Sequence, residues 1–167
     1  AYERALVIDP VYEGATLRIA DLLVNQAKVN DAIEFLETAV TQRPSSPTIH
    51  FGVGELKKRL AGTTRDAALL AAAERSLRRA LELDPTMLVA YHRLAQTLLD
   101  KGDAQAALKA LEALRQRPDY HEDLMYDIGR AQQALGRTDE AVVLLRRALD
   151  KGLPDSLVWR TTWDCAL

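Results

Sequence analysis

The sequence predicts an all-α fold made of repeated helix-turn-helix pairs, and three observations support this. Alanine and leucine are abundant while only 5% of the residues are aromatic, which favours helices over sheets. Apolar residues recur at the three- and four-residue spacings of amphipathic helices. The pattern of residues 129–148, a small residue, a turn at Leu135-Gly136-Arg137 and then apolar residues at helical spacing, returns about every 34 residues.

Composition and charge limit the classes of partner. The chain of 167 residues is 48% hydrophobic and 28% charged, which suffices for a packed core and is unlike a disordered segment. The formal net charge is -2, so no basic field attracts nucleic acid or an anionic membrane surface, and we expect neither as a partner. The apolar stretches are too short to span a bilayer, so we expect no direct membrane insertion.

The sequence leaves the cellular compartment open. Cys165 is the only cysteine, so it indicates neither an internal disulfide nor a redox environment. No signal peptide is recognisable, and Ala1 is not an initiator methionine. Residues 1–12 look like the end of a preceding repeat, with a helix that stops at Asp9-Pro10. We therefore expect a piece of a longer protein, either cytoplasmic or periplasmic.

The first complete repeat is predicted over residues 13–46. Its first helix carries an apolar inner stripe formed by Ala15, Ile19, Ala20, Leu22 and Leu23. Asn30-Asp31 favour helix N-caps, which predicts the start of the second helix. That helix is expected to end at Pro44 and to bury Ala32, Ile33, Leu36, Ala39 and Val40.

The second repeat, residues 47–87, is about seven residues longer than the period. Ser46-Pro47 predicts its first helix, because a capping hydroxyl precedes a proline at the first helical position. Gly62 is expected to break that helix, and residues 63–66 resemble a capping box. The extra length, about two helical turns, is expected to extend the second helix at its start, over residues 64–70.

The third and fourth repeats, residues 88–121 and 122–155, have the regular length. Lys101-Gly102-Asp103 is the predicted turn of the third repeat, as the segment around Gly136 is of the fourth. Residues 156–167 begin another first helix, partial or divergent. The whole chain, residues 1–167, is thus predicted to be a single array.

Small residues stand at the same places in every repeat. Counted from residues 13, 47, 88 and 122, and allowing for the insertion, positions 8, 20 and 27 are Ala or Gly at eleven of twelve sites. The twelve are Ala20, Gly54, Ala95, Gly129, Ala32, Ala73, Ala107, Ala141, Ala39, Ala80, Leu114 and Ala148. This pattern resembles the tetratricopeptide repeat (TPR) family over nearly the whole chain. The resemblance implies a right-handed α-solenoid whose helices approach closely at these sites.

Some residues depart from the family pattern. Position 11, commonly aromatic in the family, is Lys57 in the second repeat and Gln132 in the fourth, which predicts looser packing there. Trp163 falls at a position where the family has a small residue. Together with Val158 and Trp159 it would leave an apolar surface without a neighbouring repeat, so we expect self-association through exposed terminal helices.

No constellation of catalytic or metal-ligating residues is recognisable in the sequence. The histidines lie in different repeats without a metal-binding spacing, and one cysteine cannot build a Cys-rich zinc site. The fragment Gly52-Val53-Gly54 resembles part of a phosphate loop but follows no strand, and helix packing already explains Gly54. We therefore predict no enzyme activity, no cofactor and no metal.

The resemblance implies instead a concave groove, lined by the outer face of each first helix, where a peptide or helix of a partner protein binds. Positions 2, 5, 6, 9, 12 and 13 form this face, and aromatic residues there are favoured anchors. The groove residues expected on this basis are Leu17, Asp21, Phe51, Glu55, Arg59, His92, Arg93, Gln96, Leu99, Tyr126, Asp127 and Arg130. The cations with which chaperone-binding TPR proteins hold a C-terminal carboxylate are absent here except for Arg93, so such a clamp is not expected.

The predicted function is a non-catalytic protein–protein interaction scaffold or adaptor. Arginines outnumber lysines and the repeats are rich in Ala and Leu, which suggests a bacterial source. Two alternatives stay open from the sequence. The array could be the substrate-recruiting arm of a larger enzyme, such as a glycosyltransferase or sulfotransferase, or it could be a self-assembly module.

Overall fold

The computed structural model describes residues 13–112, residue 114 and residues 124–150. These residues form eight α-helices and no β-strand. The helices are α1 (Glu13–Asn25), α2 (Val29–Gln42), α3 (Pro47–Thr64), α4 (Ala67–Leu83), α5 (Leu88–Asp100), α6 (Ala104–Glu112), α7 (Met125–Ala134) and α8 (Thr138–Asp150). The predictions for residues 1–12 and 156–167, including self-association through Trp163 and its neighbours, lie outside the described residues.

The chain divides into two compact units, one ending at Arg93 and the other beginning at Leu94. In the first unit α1 packs on α2, α2 on α3 and α3 on α4. Its core is a cluster of buried apolar residues contributed by the first three helices, namely Ala20, Ala32, Ile33, Leu36, Ala39, Ile49, Val53 and Leu56. In the second unit α6 packs on α7 and α7 on α8.

Close helix approach at the small residues is confirmed. All twelve sites at positions 8, 20 and 27 are buried. A Cβ atom added to Gly54 would lie 2.7 Å from Cγ of Leu77, and one added to Gly129 would lie 2.8 Å from Cγ of Leu145. Both distances are shorter than van der Waals contact, so these two glycines set how closely α3 meets α4 and how closely α7 meets α8.

Three of the repeats join their two helices by the same tight turn. Ala27, Gly102 and Gly136 occupy position 15 and all have a left-handed backbone, with φ of 62°, 82° and 75°. After each of them the next amide donates to the carbonyl five residues earlier, as in the hydrogen bond of 2.9 Å from Lys28 to Leu23. This is the Schellman arrangement, which favours glycine because a Cβ is strained there.

Ala27 is therefore the strained residue among the three turns. Exchanging alanine and glycine between turns tests this conclusion. We expect Ala27→Gly to raise the free energy of unfolding by about 0.5–1 kcal/mol, and Gly102→Ala to lower it by a similar amount. A Cβ at Gly102 would meet no atom within 4 Å, so its effect is conformational and not steric. Urea unfolding of the two variants measures both changes. Shifts of the same sign would contradict the common turn geometry.

The second repeat differs from its prediction in where its helices end. Helix α3 continues through Gly62 to Thr64, and Arg65 ends it in a left-handed conformation with φ of 56°. The cap of α4 is Asp66, whose side chain accepts hydrogen bonds from the amides of Ala68 and Leu69, so the expected capping box at Thr63 is wrong. The insertion lengthens both helices, to 18 and 17 residues, and not the second alone. An isolated helical glycine costs only about 1 kcal/mol, too little to end a helix that is supported by its neighbours.

The predicted start of the first unit's second helix is also corrected. Helix α2 begins at Val29 with Lys28 at the N-cap and no side-chain hydrogen bond, so Asn30 and Asp31 lie inside it. The Schellman turn at Ala27 fixes this start instead. By contrast, the predicted Ser46-Pro47 start is confirmed, since Oγ of Ser46 accepts from the amide of Ile49 at 3.2 Å.

Two further expectations about packing are wrong. Leu22, placed on the inner stripe, is 48% exposed. Gln132 is buried, and its Oε1 accepts a hydrogen bond of 3.2 Å from Nη1 of Arg137, so the fourth repeat is not loosened at that position. Lys57 has a side chain only 15% exposed and reaches across to Glu37 of α2, with Nζ 2.6 Å from Oε1. In both cases pairing of the polar end group allows the aliphatic stem to pack where the family has an apolar residue.

Candidate functional site

A surface hollow of about 290 Å³ lies in the first unit between α1 and α3. Its lining comprises Leu17, Ala20, Asp21, Leu36, Thr48, Phe51, Gly52, Glu55 and Leu56. All of these described lining residues are apolar apart from two carboxylates and one hydroxyl. The volume is at the lower end of the range of ligand pockets, about 300–1,000 Å³, which suits one or two side chains of a larger partner.

The repeat spacing explains why these residues meet. Leu17 and Phe51 are both at position 5, and Asp21 and Glu55 are both at position 9, so each pair comes from the same place on neighbouring first helices. Equivalent residues of consecutive repeats lie side by side when the repeats stack. The structure thus brings four of the predicted groove residues to one hollow.

Helix α3 contacts side chains of both preceding helices closely at Gly52. A Cβ atom at this residue would lie 3.1 Å from Cδ1 of Leu36 and 3.3 Å from Cδ2 of Leu17. Both neighbours are the flexible ends of leucine side chains, so a larger residue can be accommodated by moving them into the hollow. Gly52 therefore keeps the hollow open.

An ion pair accompanies each carboxylate of the hollow. Arg18 contacts Asp21 across one turn of α1, with Nη1 3.3 Å from Oδ2 and more than half of each side chain exposed. Arg93 contacts Glu55, with Nε 2.5 Å from Oε2 and about a third of each side chain exposed. Neither arginine is among the residues that line the hollow. The two carboxylates thus belong to the lining of the cavity and their paired cations do not.

The hydroxyl of the hollow belongs to a separate polar network. Oγ1 of Thr48 donates to Oε2 of Glu13 at 3.2 Å, and Nη1 of Arg43 donates to Oε1 of Glu13 at the same distance. Burial alone would raise the pKa of Glu13, but hydrogen bonds from Ser46, Arg43 and Thr48 and the charge of Arg43 outweigh it, so the pKa is lowered. Glu13 is therefore ionised at neutral pH and ties the start of α1 to the loop before α3.

Three further predicted residues lie in the first unit. Arg59 is exposed on α3, and His92 and Arg93 are half-buried on α5. Of these, Arg93 is linked to the hollow through its ion pair with Glu55. His92 and Arg59 do not belong to its lining.

The second unit does not present its predicted residues in the same way. Gln96, Leu99 and Arg130 are half-buried, but Tyr126 is only 2% exposed and Asp127 is fully buried. The expected solvent-facing Tyr126 is thus wrong: the ring packs with Met125, Leu145 and Ala148 in an apolar cluster. The guanidinium of Arg130 lies over the Tyr126 ring, with Cζ 6.0 Å from the ring centroid. Tyr126 and Asp127 are inaccessible because every residue of the segment 124–129, at the start of α7, is buried.

Several residues of the hollow were not among the groove residues predicted from the sequence. Thr48 and Gly52 occupy positions 2 and 6, which the groove pattern does include, so the signal was present in the sequence. Leu36, in contrast, lies on a second helix and was assigned to the core. It is 1% exposed and forms the bottom of the hollow. The groove therefore includes core side chains that a pattern restricted to first helices cannot identify.

The chemistry available at this site is that of binding. In the described part of the chain no three His, Cys, Asp or Glu residues are grouped so that they could hold a metal ion. No described helix has the length and apolar character needed to cross a membrane. The prediction that the protein is not an enzyme stays a prediction.

Comparison with known proteins shows a similarity to tetratricopeptide repeat proteins. Residues 98–161 match the family model described as tetratricopeptide repeat. The TPR repeat-containing protein YpiA of Bacillus subtilis (strain 168) is 29% identical over 142 residues. That match covers 84% of this chain and 32% of YpiA, so the chain spans about a third of the length of this relative.

Solved structures extend the likeness over most of the chain. The crystal structure of MamA superposes with a TM-score of 0.71 at 26% identity, covering 90% of this chain and 84% of that one. TTC0263, described as a thermophilic TPR protein in Thermus thermophilus, has a TM-score of 0.77 and covers 99% of this chain and 88% of its own. At 22% identity the latter shows the fold alone.

In sequence and fold the chain is similar to proteins of the tetratricopeptide repeat family. Its predicted fold class, an all-α solenoid of TPR helix-turn-helix repeats, is confirmed. Proteins of this family are protein-interaction scaffolds, which agrees with the class of function predicted from the sequence. The Bacillus relative fits the predicted bacterial source.

Proposed function

We propose that this protein is a non-catalytic scaffold that binds a peptide or helix of a partner protein, with the hollow between α1 and α3 as the anchoring site. The observation that carries the proposal is the convergence of Leu17, Phe51 and Gly52 on one apolar cavity at the predicted groove positions of two consecutive repeats. The partner inserts an apolar side chain there and lies along the first-helix face.

The energetics suit a modest, peptide-type interaction. Burying one leucine- or phenylalanine-sized side chain is worth about 1.5–3 kcal/mol, which by itself gives no stable complex. The rest must come from contacts along the same face, where the exposed Arg59 and the half-buried His92 of the first unit lie. The hollow therefore acts as the anchor of a longer contact, in the manner of a hot spot surrounded by weaker contacts.

A pair of glycines on one helix provides the test. Gly52→Leu places a side chain in the hollow, whereas Gly62→Leu makes the same change on α3 where a Cβ would meet nothing within 4 Å. We expect the wild type and Gly62→Leu to capture the same protein from an extract of the source organism, and Gly52→Leu to lose it. Circular dichroism verifies that both variants keep their helices.

The capture results for the wild type and the two variants also distinguish the scaffold function from the two alternative functions. Equal capture by both variants would move the binding site away from the hollow and contradict the proposal. Capture of further copies of the same chain by all three proteins would favour the self-assembly module. If a longer chain contained both this array and an enzyme domain, the substrate-recruiting function would be favoured. Binding at the hollow would then be tested with the substrate of that enzyme.

A further inference from the structure

The charges around the hollow are distributed unevenly. Two carboxylates, Asp21 and Glu55, belong to its lining, and none of its described lining residues is basic. Two cations, Arg18 and Arg93, pair with these carboxylates and are not part of the lining. A group entering the hollow therefore contacts apolar side chains and two carboxylates, and no basic residue of the described lining.

From this arrangement we infer the chemistry of the partner: a linear protein segment in which an apolar side chain is accompanied, close in sequence, by lysine or arginine. The apolar side chain enters the cavity between Leu17 and Phe51, and the cation contacts Asp21 or Glu55. This inference rests on the proposed function, since it specifies what the same hollow binds.

The carboxylates have capacity for a second cation. The ion pairs are made at Oδ2 of Asp21 and Oε2 of Glu55, and an ionised carboxylate can accept hydrogen bonds at both of its oxygens. The Arg18–Asp21 pair is also largely exposed, and exposed pairs of this kind contribute little, so a partner's cation can replace Arg18 at low cost. Asp21 is accordingly the residue expected to contribute most to the selectivity.

An acidic partner is disfavoured by the same geometry. A carboxylate or phosphate entering the hollow would meet two carboxylates and no basic residue of the described lining, and like charges brought together at an interface oppose binding. Charge thus serves here to select among apolar segments, while the affinity itself comes mainly from the buried side chain.

Selection from a library of short random peptides, displayed on phage and panned on the folded 167-residue chain, tests the inference. Counter-selection on Gly52→Leu restricts the result to the hollow. We expect the enriched peptides to share an apolar residue with lysine or arginine nearby. For one such synthetic peptide, the variant Asp21→Asn with Glu55→Gln should bind about two- to tenfold more weakly than the wild type, and added salt should weaken wild-type binding.

A matched control uses two exposed carboxylates of α2 outside the hollow, in the variant Asp31→Asn with Glu34→Gln. It should bind the peptide as tightly as the wild type. Enriched peptides that are apolar without excess basic residues, or equal binding by the Asp21/Glu55 variant, would overturn the charge selectivity and leave the proposed function standing. Enrichment on the wild type that is no greater than on Gly52→Leu would overturn both.

Discussion

Leu77→Ala is expected to lower the free energy of unfolding by about 2–5 kcal/mol. Leu77 is completely buried in α4 at the closest approach to α3, where it faces Gly54. Truncation removes its contacts and leaves a cavity that the tightly packed helix pair can fill only in part. Urea unfolding followed by circular dichroism measures the change as a lower midpoint.

An exposed leucine gives the control for this prediction. Leu22→Ala makes the same truncation at a side chain that is 48% exposed, so its effect should stay within about 0.5 kcal/mol. If the two truncations had equal effects, the α3–α4 contact would not be a principal source of stability.

Gly54→Ala is expected to lower the free energy of unfolding by about 1–3 kcal/mol, although alanine is the better helix former. The new Cβ would lie 2.7 Å from Cγ of Leu77 and 3.2 Å from the backbone oxygen of Ala73. The Cγ atom is the branch point of the leucine and cannot swing away as a terminal methyl can. The helices must therefore separate, and the packing between them weakens.

The same clash makes the two substitutions strongly coupled. In the Leu77→Ala background the obstructing Cγ is gone and the contact of 3.2 Å with the Ala73 oxygen remains, so Gly54→Ala should destabilise much less, a coupling of about 1–3 kcal/mol. Gly62→Ala, on the same helix with nothing within 4 Å, should stabilise by up to about 1 kcal/mol in either background. Additive effects of Gly54→Ala and Leu77→Ala would contradict the close approach of the two helices.

The fold class could be predicted from the sequence because the period is long and the small residues recur in register. Ala or Gly at one place in a helix is common, but small residues at the same three positions in successive repeats have a single steric explanation. The same register assigns Leu17, Asp21, Phe51 and Glu55 to one face of successive first helices, and all four line one hollow.

Features that depend on local competition could not be predicted. Gly62 weakens a helix in isolation, yet α3 continues past it because its neighbours support it, and a left-handed Arg65 ends the helix instead. Ala27 adopts a glycine-type turn without being glycine, which moved the start of α2 away from the favourable caps at Asn30-Asp31. These intrinsic preferences amount to about 1 kcal/mol or less, and the free energy of tertiary contacts is larger.

The candidate site was predicted in part for a related reason. Periodicity assigns a residue to one helix face but does not state whether another element covers that face. Phe51 remains partly exposed beside the hollow, while Tyr126, at the equivalent position of the fourth repeat, is buried with Leu145 and Ala148. The register identifies candidate groove residues, and only the packing around each of them determines which are accessible.

The most direct test of the central claim is the ratio of the affinities of Gly52→Leu and Gly62→Leu for one ligand, whether a captured partner's peptide or a selected peptide, measured by titration calorimetry. Loss of one buried apolar anchor predicts that Gly52→Leu binds about tenfold more weakly or worse, while Gly62→Leu binds as the wild type does. Equal affinities of the two folded variants would show that the hollow between α1 and α3 is not where the partner binds.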